Sequence, residues 1–269
     1  MSQNRMNSIK FKKLRKLTFT LALNDFKTKY SGSYLGIFWA FFQPVVTVTV
    51  YWFIFQLGFR SDPVKDFPFV LWLIAGIVPW FYFSDALNGG TNSLLEYNYL
   101  VKKVVFNINI LPVVKVISAI FVHGFFVCFM FILYLIYGYG FDLYCLQVVY
   151  YTIAMLLLTL GITYATSAIV IFFRDLTQII NIGLQIGIWM TPIMWSMDMF
   201  KDKYPLLVNI LKFNPLYYIV DGYRGAMIYK QWFWERPLLT AYFWALVILF
   251  FVLGRFIFKR LRPHFADVL

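Results

Sequence analysis

Hydrophobic runs alternate with short polar ones along nearly the whole chain. Six runs, at 34–58, 67–87, 112–137, 145–172, 176–197 and 238–258, are almost free of charge. At 1.5 Å of rise per residue, each is long enough to cross about 30 Å of hydrocarbon as a helix. The pattern predicts an all-α polytopic membrane protein with six transmembrane helices. It divides the chain into a cytoplasmic N-terminus (1–33), a six-helix transmembrane domain (34–258) and a cytoplasmic C-terminal tail (259–269).

Three polar or mixed stretches carry further elements. In residues 8–29, Phe11, Leu14, Leu17, Thr18 and Leu21 share one arc of a helical wheel, opposite Lys12, Lys13, Arg15 and Lys16. This predicts a basic amphipathic helix lying along an anionic leaflet. Between the second and third runs, Asn92 or Ser93 can cap a helix over 92–103. Glu96 then sits in its first turn, and Lys102 and Lys103 near its end, each favoured by the helix dipole. A short capped helix on a loop is a docking handle. The segment 198–237 is apolar but punctuated by Pro205 and Pro215, so neither half can cross. It predicts two short re-entrant or interfacial helices, with 198–230 as an outer gate before the last span.

Charge orients the chain. It carries a formal +12, with 24 Lys and Arg against 12 Asp and Glu. Six spans put both termini on one side. That side holds sixteen of the bases and five of the acids, and the other holds eight and seven. The positive-inside rule makes both termini, and the 92–103 loop, cytoplasmic. The basic balance is therefore a topology signal, and the uncharged spans leave little room for nucleic-acid binding. Lys27 and Lys29, with Tyr34 and Trp39 at the start of the first span, are expected at lipid head groups.

Catalytic chemistry is missing from the sequence. No glycine is followed by lysine, so there is no Walker A loop, and neither HExxH nor GxSxG occurs. His123 and His264 are too far apart in sequence to suggest a local ligand pair, and Cys128 and Cys145 show no metal-ligand spacing. The spans hold no paired carboxylates of the kind a proton- or sodium-coupled transporter uses. Aromatic residues make up 22% of the chain. Tyr51, Trp52 and Phe55 in the first run, and Trp189 and Trp195 in the fifth, suit weak, repeated stacking on sugar rings. A membrane-embedded glycosyl- or acyltransferase acting on the same kind of lipid would need a carboxylate or histidine cluster near an interface, which is not evident.

Several stretches resemble a known family: NDFKTKYSGSYLGIFWAFFQPV (24–45), AGIVPWFYFSDAL (75–87), NSLLEYNYLVKKVVFNINILPVV (92–114), FFRDLTQI (172–179) and NPLYYIVDGYRGAMI (214–228). They are similar to permease subunits of type-2 ABC exporters of lipid-linked polysaccharides, most similar to teichoic-acid exporter permeases, with O-antigen and capsule exporter permeases as the alternative. The resemblance implies a non-enzymatic subunit in the cytoplasmic membrane that exports an undecaprenyl-diphosphate-linked polymer. It implies a homodimer with two copies of a separate ABC ATPase, which binds the ATP and Mg, and no cofactor in this chain. The ATPase contacts are then Glu96, Tyr97, Leu100, Lys102 and Lys103 in the coupling helix, and Arg174 and Asp175 in a second turn. The resemblance implies a substrate path lined by the first and fifth spans without settling which side chains face it; the aromatic residues Tyr51, Trp52, Phe55, Trp189 and Trp195 are the expected ones.

Overall fold

The computed structural model describes residues 3–29, 31, 34–58, 67–101 and 107–268. Among the described residues five helical stretches are long and apolar enough to cross a membrane: Phe38–Gln56, Phe69–Glu96, Ile110–Ile136, Leu143–Ile169 and Pro237–His264. The principal helices are α1 (Gln3–Lys29), α2 (Phe38–Trp52, continued by a π turn), α3 (Phe69–Glu96), α4 (Asn98–Val101), α5 (Ile110–Ile136), α6 (Gln147–Ile169) and α7 (Leu176–Met190). They are followed by α8 (Asp198–Lys201), α9 (Pro205–Lys212), α10 (Pro215–Arg224), α11 (Pro237–Leu261) and α12 (Phe265–Val268).

The core is built around α3, whose residues from Phe69 to Trp80 are all buried. It packs on α5, α6, α7 and α10. The Tyr134 hydroxyl donates to the Leu71 carbonyl, and the Tyr82 hydroxyl to that of Val116, so α3 and α5 are antiparallel. Helices α6 and α11 instead run in the same direction. Trp244 Nε1 donates to the Tyr150 hydroxyl near one end, and Tyr164 packs edge-on against Phe258 near the other. Glycines permit this contact. A Cβ on Gly254 would fall 2.2 Å from the Gly161 carbonyl oxygen, so the two backbones touch directly.

The fifth hydrophobic run departs from expectation. It forms a helix of only 15 residues, about 22 Å long, instead of a full span over 176–197. Pro192 is the reason. The residue before a proline is pushed out of the helical region, and Thr191 is extended at φ −93°, ψ 132°. Because α6 and α11 are parallel, the chain must return between them. Helix α7 and the irregular stretch after it make that return.

The expected helix at 92–103 is also corrected. Residues 92–96 are the last turns of α3, which ends at Glu96, and only the single turn α4 follows. Ser93 Oγ bonds back to the Gly90 carbonyl and Asn92 Nδ2 to that of Asn88, so neither residue caps a helix start. Glu96 lies at a helix C-terminus, where the dipole disfavours a carboxylate, and Lys115 pairs with it.

Helix α1 packs against the first half of α5, with Phe19 and Phe26 both on Phe121. Its buried stripe is Thr18, Ala22 and Asp25, with Leu14 and Leu21 half-buried; Leu17 is exposed, as are Lys12, Lys13, Arg15 and Lys16. The side chain of Phe11 lies outside the described residues.

Candidate functional site

Two turns lie at the end of the molecule that carries the C-termini of α3 and α6. The first joins α3 through α4 towards α5. Tyr97 donates to Asp25 Oδ1 on α1 at 2.7 Å, and Lys115 Nζ on α5 reaches the same carboxylate oxygen at 2.7 Å and also pairs with Glu96. The Lys115 ammonium lies 5.3 Å from the Tyr97 ring centroid. Burial, then the hydrogen bond and charge of Asp25, raise the Tyr97 hydroxyl pKa, so it stays a proton donor. Leu100 tucks into a small apolar cluster with Leu94, Ile108, Leu111, Phe258 and Phe265. Three helices thus converge on the residues expected to meet the ATPase. Lys102 and Lys103 lie outside the described residues.

The second turn joins α6 to α7, and Arg174 and Asp175 are both exposed on it. Just beyond them, Thr177 donates to Asn92 Oδ1 at 2.8 Å, tying the start of α7 to the last turns of α3. Thr91 and Thr166 Oγ1 atoms meet at 2.8 Å one layer deeper. The two turns are therefore braced against each other. Sequence reasoning missed Asp25, Lys115, Asn92 and Thr177 as the bracing set. A lone acid in a basic helix and a lone lysine inside an apolar run were the available signals.

The proposed pathway residues do not share one environment. Tyr51, Trp52 and Phe55 are half-buried against the core, with Phe55 stacked on Phe69 at 5.5 Å. Trp189 is 56% exposed on α7. Trp195 donates its Nε1 to the Trp189 carbonyl and packs edge-on against Phe200. The face that α2 leaves without a partner carries Phe38, Trp39, Phe42, Val46, Val50 and Phe53. Helix α7 has no fully buried residue and exposes Ile179, Ile182 and Ile186 beside Trp189. Of the expected head-group residues, Lys27, Tyr34 and Trp39 are exposed, and Lys29 pairs with Asp85 on α3.

At the opposite end, α9 and α10 each start with a proline at the first helical turn. Asn214 caps α10 by accepting from Leu216 N, and its Nδ2 donates to Thr191 Oγ1 at 2.9 Å. Arg224, 3% exposed, ends α10. Its guanidinium donates to the Pro192 and Ile193 carbonyls at 2.5 and 2.8 Å and stacks 3.3 Å from the Trp72 ring centroid. Both groups clamp the end of α7. Arg224 and Pro192 border a cleft of about 530 Å³ that also includes Asp198, Lys212, Asp221 and Arg236.

Within the spans, His123 Nε2 lies 3.0 Å from the Tyr223 hydroxyl and 3.2 Å from Thr152 Oγ1, as a packed polar knot. Among the described residues no cluster of His, Cys, Asp and Glu could hold a metal ion.

The O-antigen export system permease protein RfbA of Myxococcus xanthus is 27% identical over 253 residues, covering 94% of this chain and 95% of that protein. An O-antigen export system permease protein RfbA of Klebsiella pneumoniae is 26% identical over 258 residues, with the same coverage. Residues 16–228 match the profile of the ABC-2 type transporter family, so this chain, with its helical membrane architecture, belongs to the ABC-2 type transporter family.

Proposed function

We propose that this chain is the membrane subunit of an ATP-driven exporter of a lipid-linked polysaccharide, of the O-antigen kind. The observation that carries this reading is end-to-end similarity to O-antigen export permeases, over 94% of the chain. The motifs alone favoured teichoic acid; the relatives move the weight to the alternative. The substrate is a polymer on an undecaprenyl-diphosphate carrier. A separate ABC ATPase, in two copies, supplies the power and binds ATP and Mg.

The braced turns receive that power. Glu96, Tyr97 and Leu100 meet the ATPase through the first turn, and Arg174 and Asp175 through the second. Because Asn92 and Thr177 join them, a push on either turn moves α3 and α7 together. Two copies of the subunit bury the unpartnered faces of α2 and α7 against one another, and the seam between them is the path. Trp189 faces that seam. Tyr51, Trp52 and Phe55 support its wall from the core side, and Trp195 holds the outer end of α7. Both termini are cytoplasmic, and α7 completes an even number of crossings. Lys27 and Lys29 stand at the lipid head groups. Lys29 reaches a diphosphate only by releasing Asp85.

Export is tested by depleting the chain and following the polymer. Lipid-linked polymer should accumulate in the cytoplasm, and its sugar analysis separates O-antigen repeats from polyol-phosphate teichoic acid. A Tyr97→Asp, Leu100→Asp double variant should insert normally but lose at least tenfold in export, with ATP hydrolysis no longer stimulated by substrate. Normal export and stimulation in that variant defeat the coupling role.

A further inference from the structure

A groove of about 400 Å³ runs between α1, the start of α5 and α6. Its walls are apolar: Leu14 and Phe19 from α1, and Ile110, Val113 and Ile117 from α5. At its polar edge stand Arg15, Asn107 and Asn109. Arg15 is exposed and has no ion-pair partner among the described residues; the same holds for its neighbours Lys12, Lys13 and Lys16. The first acid on α1 is Asp25, and Lys115 already neutralises it. The groove therefore joins an acyl-sized apolar slot to an unneutralised cationic mouth.

We propose that this groove holds one anionic phospholipid of the cytoplasmic leaflet, as a fixed part of the subunit. An acyl chain lies along Phe19, Val113 and Ile117. The phosphodiester meets Arg15, and Asn107 Nδ2, whose own amide oxygen already accepts from Asn109, takes a glycerol or ester oxygen. Charge complementarity selects the occupant. A cytoplasmic leaflet rich in anionic lipid draws basic helices to its surface, and a polybasic segment gains with each cation brought near it. Arg15 converts that diffuse attraction into a single position, because a guanidinium can bind a phosphate through two parallel hydrogen bonds. The carrier lipid of the exported polymer shares the phosphate chemistry but not the location. The groove sits against α5 and α6, whereas the unpartnered faces of α2 and α7 lie elsewhere. A resident lipid here fills the space between α1 and α5, so it sets how firmly α1 is seated beside the Asp25–Lys115 contact. The proposal rests on the cytoplasmic placement of α1. Its readout is lipid retained rather than polymer exported, so it can fail while the export reading stands.

The test is native mass spectrometry of the full permease–ATPase complex, delipidated in detergent and titrated with phosphatidylglycerol or phosphatidylcholine. A discrete phosphatidylglycerol adduct per subunit, absent with phosphatidylcholine, is expected. Arg15→Gln should weaken it roughly fivefold, the value of one cation near an anionic head group. Ile117→Trp fills the slot without changing charge and should lower occupancy by a similar factor. Lys12→Gln with Lys13→Gln should leave the discrete adduct while reducing only salt-sensitive vesicle binding. Thermal unfolding of each variant checks that the fold persists. Three results overturn the proposal: equal binding of the two phospholipids, an adduct indifferent to both Arg15→Gln and Ile117→Trp, or preferential filling by undecaprenyl phosphate.

Discussion

Arg224 shows how far a single residue departs from its sequence context. It stands in a polar-looking stretch, DGYRGAM, that gives no sign of burial. The folded chain removes its charge from water and offers two backbone carbonyls and an aromatic face in return. Those carbonyls are free because Pro192 breaks the helix before them, so the clamp needs both the proline and the arginine. It also needs Gly76, where an added Cβ would lie 2.7 Å from the Arg224 guanidinium. Gly76→Ala should destabilise the protein by about 1–3 kcal/mol through overpacking. Arg224→Met leaves carbonyls unpaired and should cost about 2–3 kcal/mol. In the double variant the crowding at Gly76 has nothing to crowd, so the two effects should fall short of additivity by at least 1 kcal/mol. Detergent-solubilised unfolding curves for the three variants measure this, and simple additivity disposes of the clamp as a linked unit.

At the scale of elements, most helices were legible because membrane helices announce themselves by uninterrupted hydrophobicity. The apolar run at 34–58, and those centred near 78, 123, 158 and 248, all became helices. Boundaries were less legible where local signals compete with tertiary ones. Asn92 and Ser93 are good caps in isolation. In the fold their side chains turn back to the helix they sit in, while Thr91 reaches Thr166, so α3 runs on past them. The end of α7 was readable in the Thr191–Pro192 pair, but the apolar residues beyond it masked the stop. The bracing of the two turns was signalled only by a lone acid in α1 and a lone lysine in α5, because Asp25, Glu96 and Lys115 are brought together only by the packing of α1 and α3 on α5. Lys115 joins these elements through two carboxylates. Lys115→Met should destabilise by about 3 kcal/mol, since it strands a nearly buried Asp25. Export should fall at least tenfold while the ATPase still copurifies, and Lys115→Arg should restore most of it. Spin labels on α1 and α4 give the readout a purely structural role would not move. Their separation should change with nucleotide in wild type and stay fixed in Lys115→Met. A wild-type response surviving in that variant removes Lys115 from the linkage.

For the whole molecule, the parallel packing of α6 and α11 constrains topology more firmly than hydropathy does. Two neighbouring helices of one direction require a return between them, and α7 is the longest helix in that interval among the described residues. It also buries no side chain within the subunit, which marks it for a partner. Trp189→Cys, in a chain lacking Cys128 and Cys145, should cross-link to its counterpart in the membrane with a short bifunctional thiol reagent. It should also label with a water-soluble thiol reagent. Leu249→Cys on the exposed face of α11 should do neither. If Trp189→Cys behaves like that control, the seam lies on another face.

The shortness of α7 has a consequence for transport work. A hydroxyl-rich chain crossing a membrane gives up its water over whatever dry length separates the two aqueous phases. Four of the five long apolar stretches among the described residues run to 27 or 28 residues, but α7 has 15, about three-quarters of a bilayer's oily thickness. Past Met190 the backbone is irregular as far as Met197, and Ser196 there and Asp198 at the start of α8 are both able to hold water. With the proposed seam along α7 as the path, the dehydrated stretch of polymer at any instant is set by the shortest wall and not by the bilayer. Each power stroke then moves fewer sugars through an unsolvated state, and the barrier the ATPase must overcome falls in proportion to the missing length.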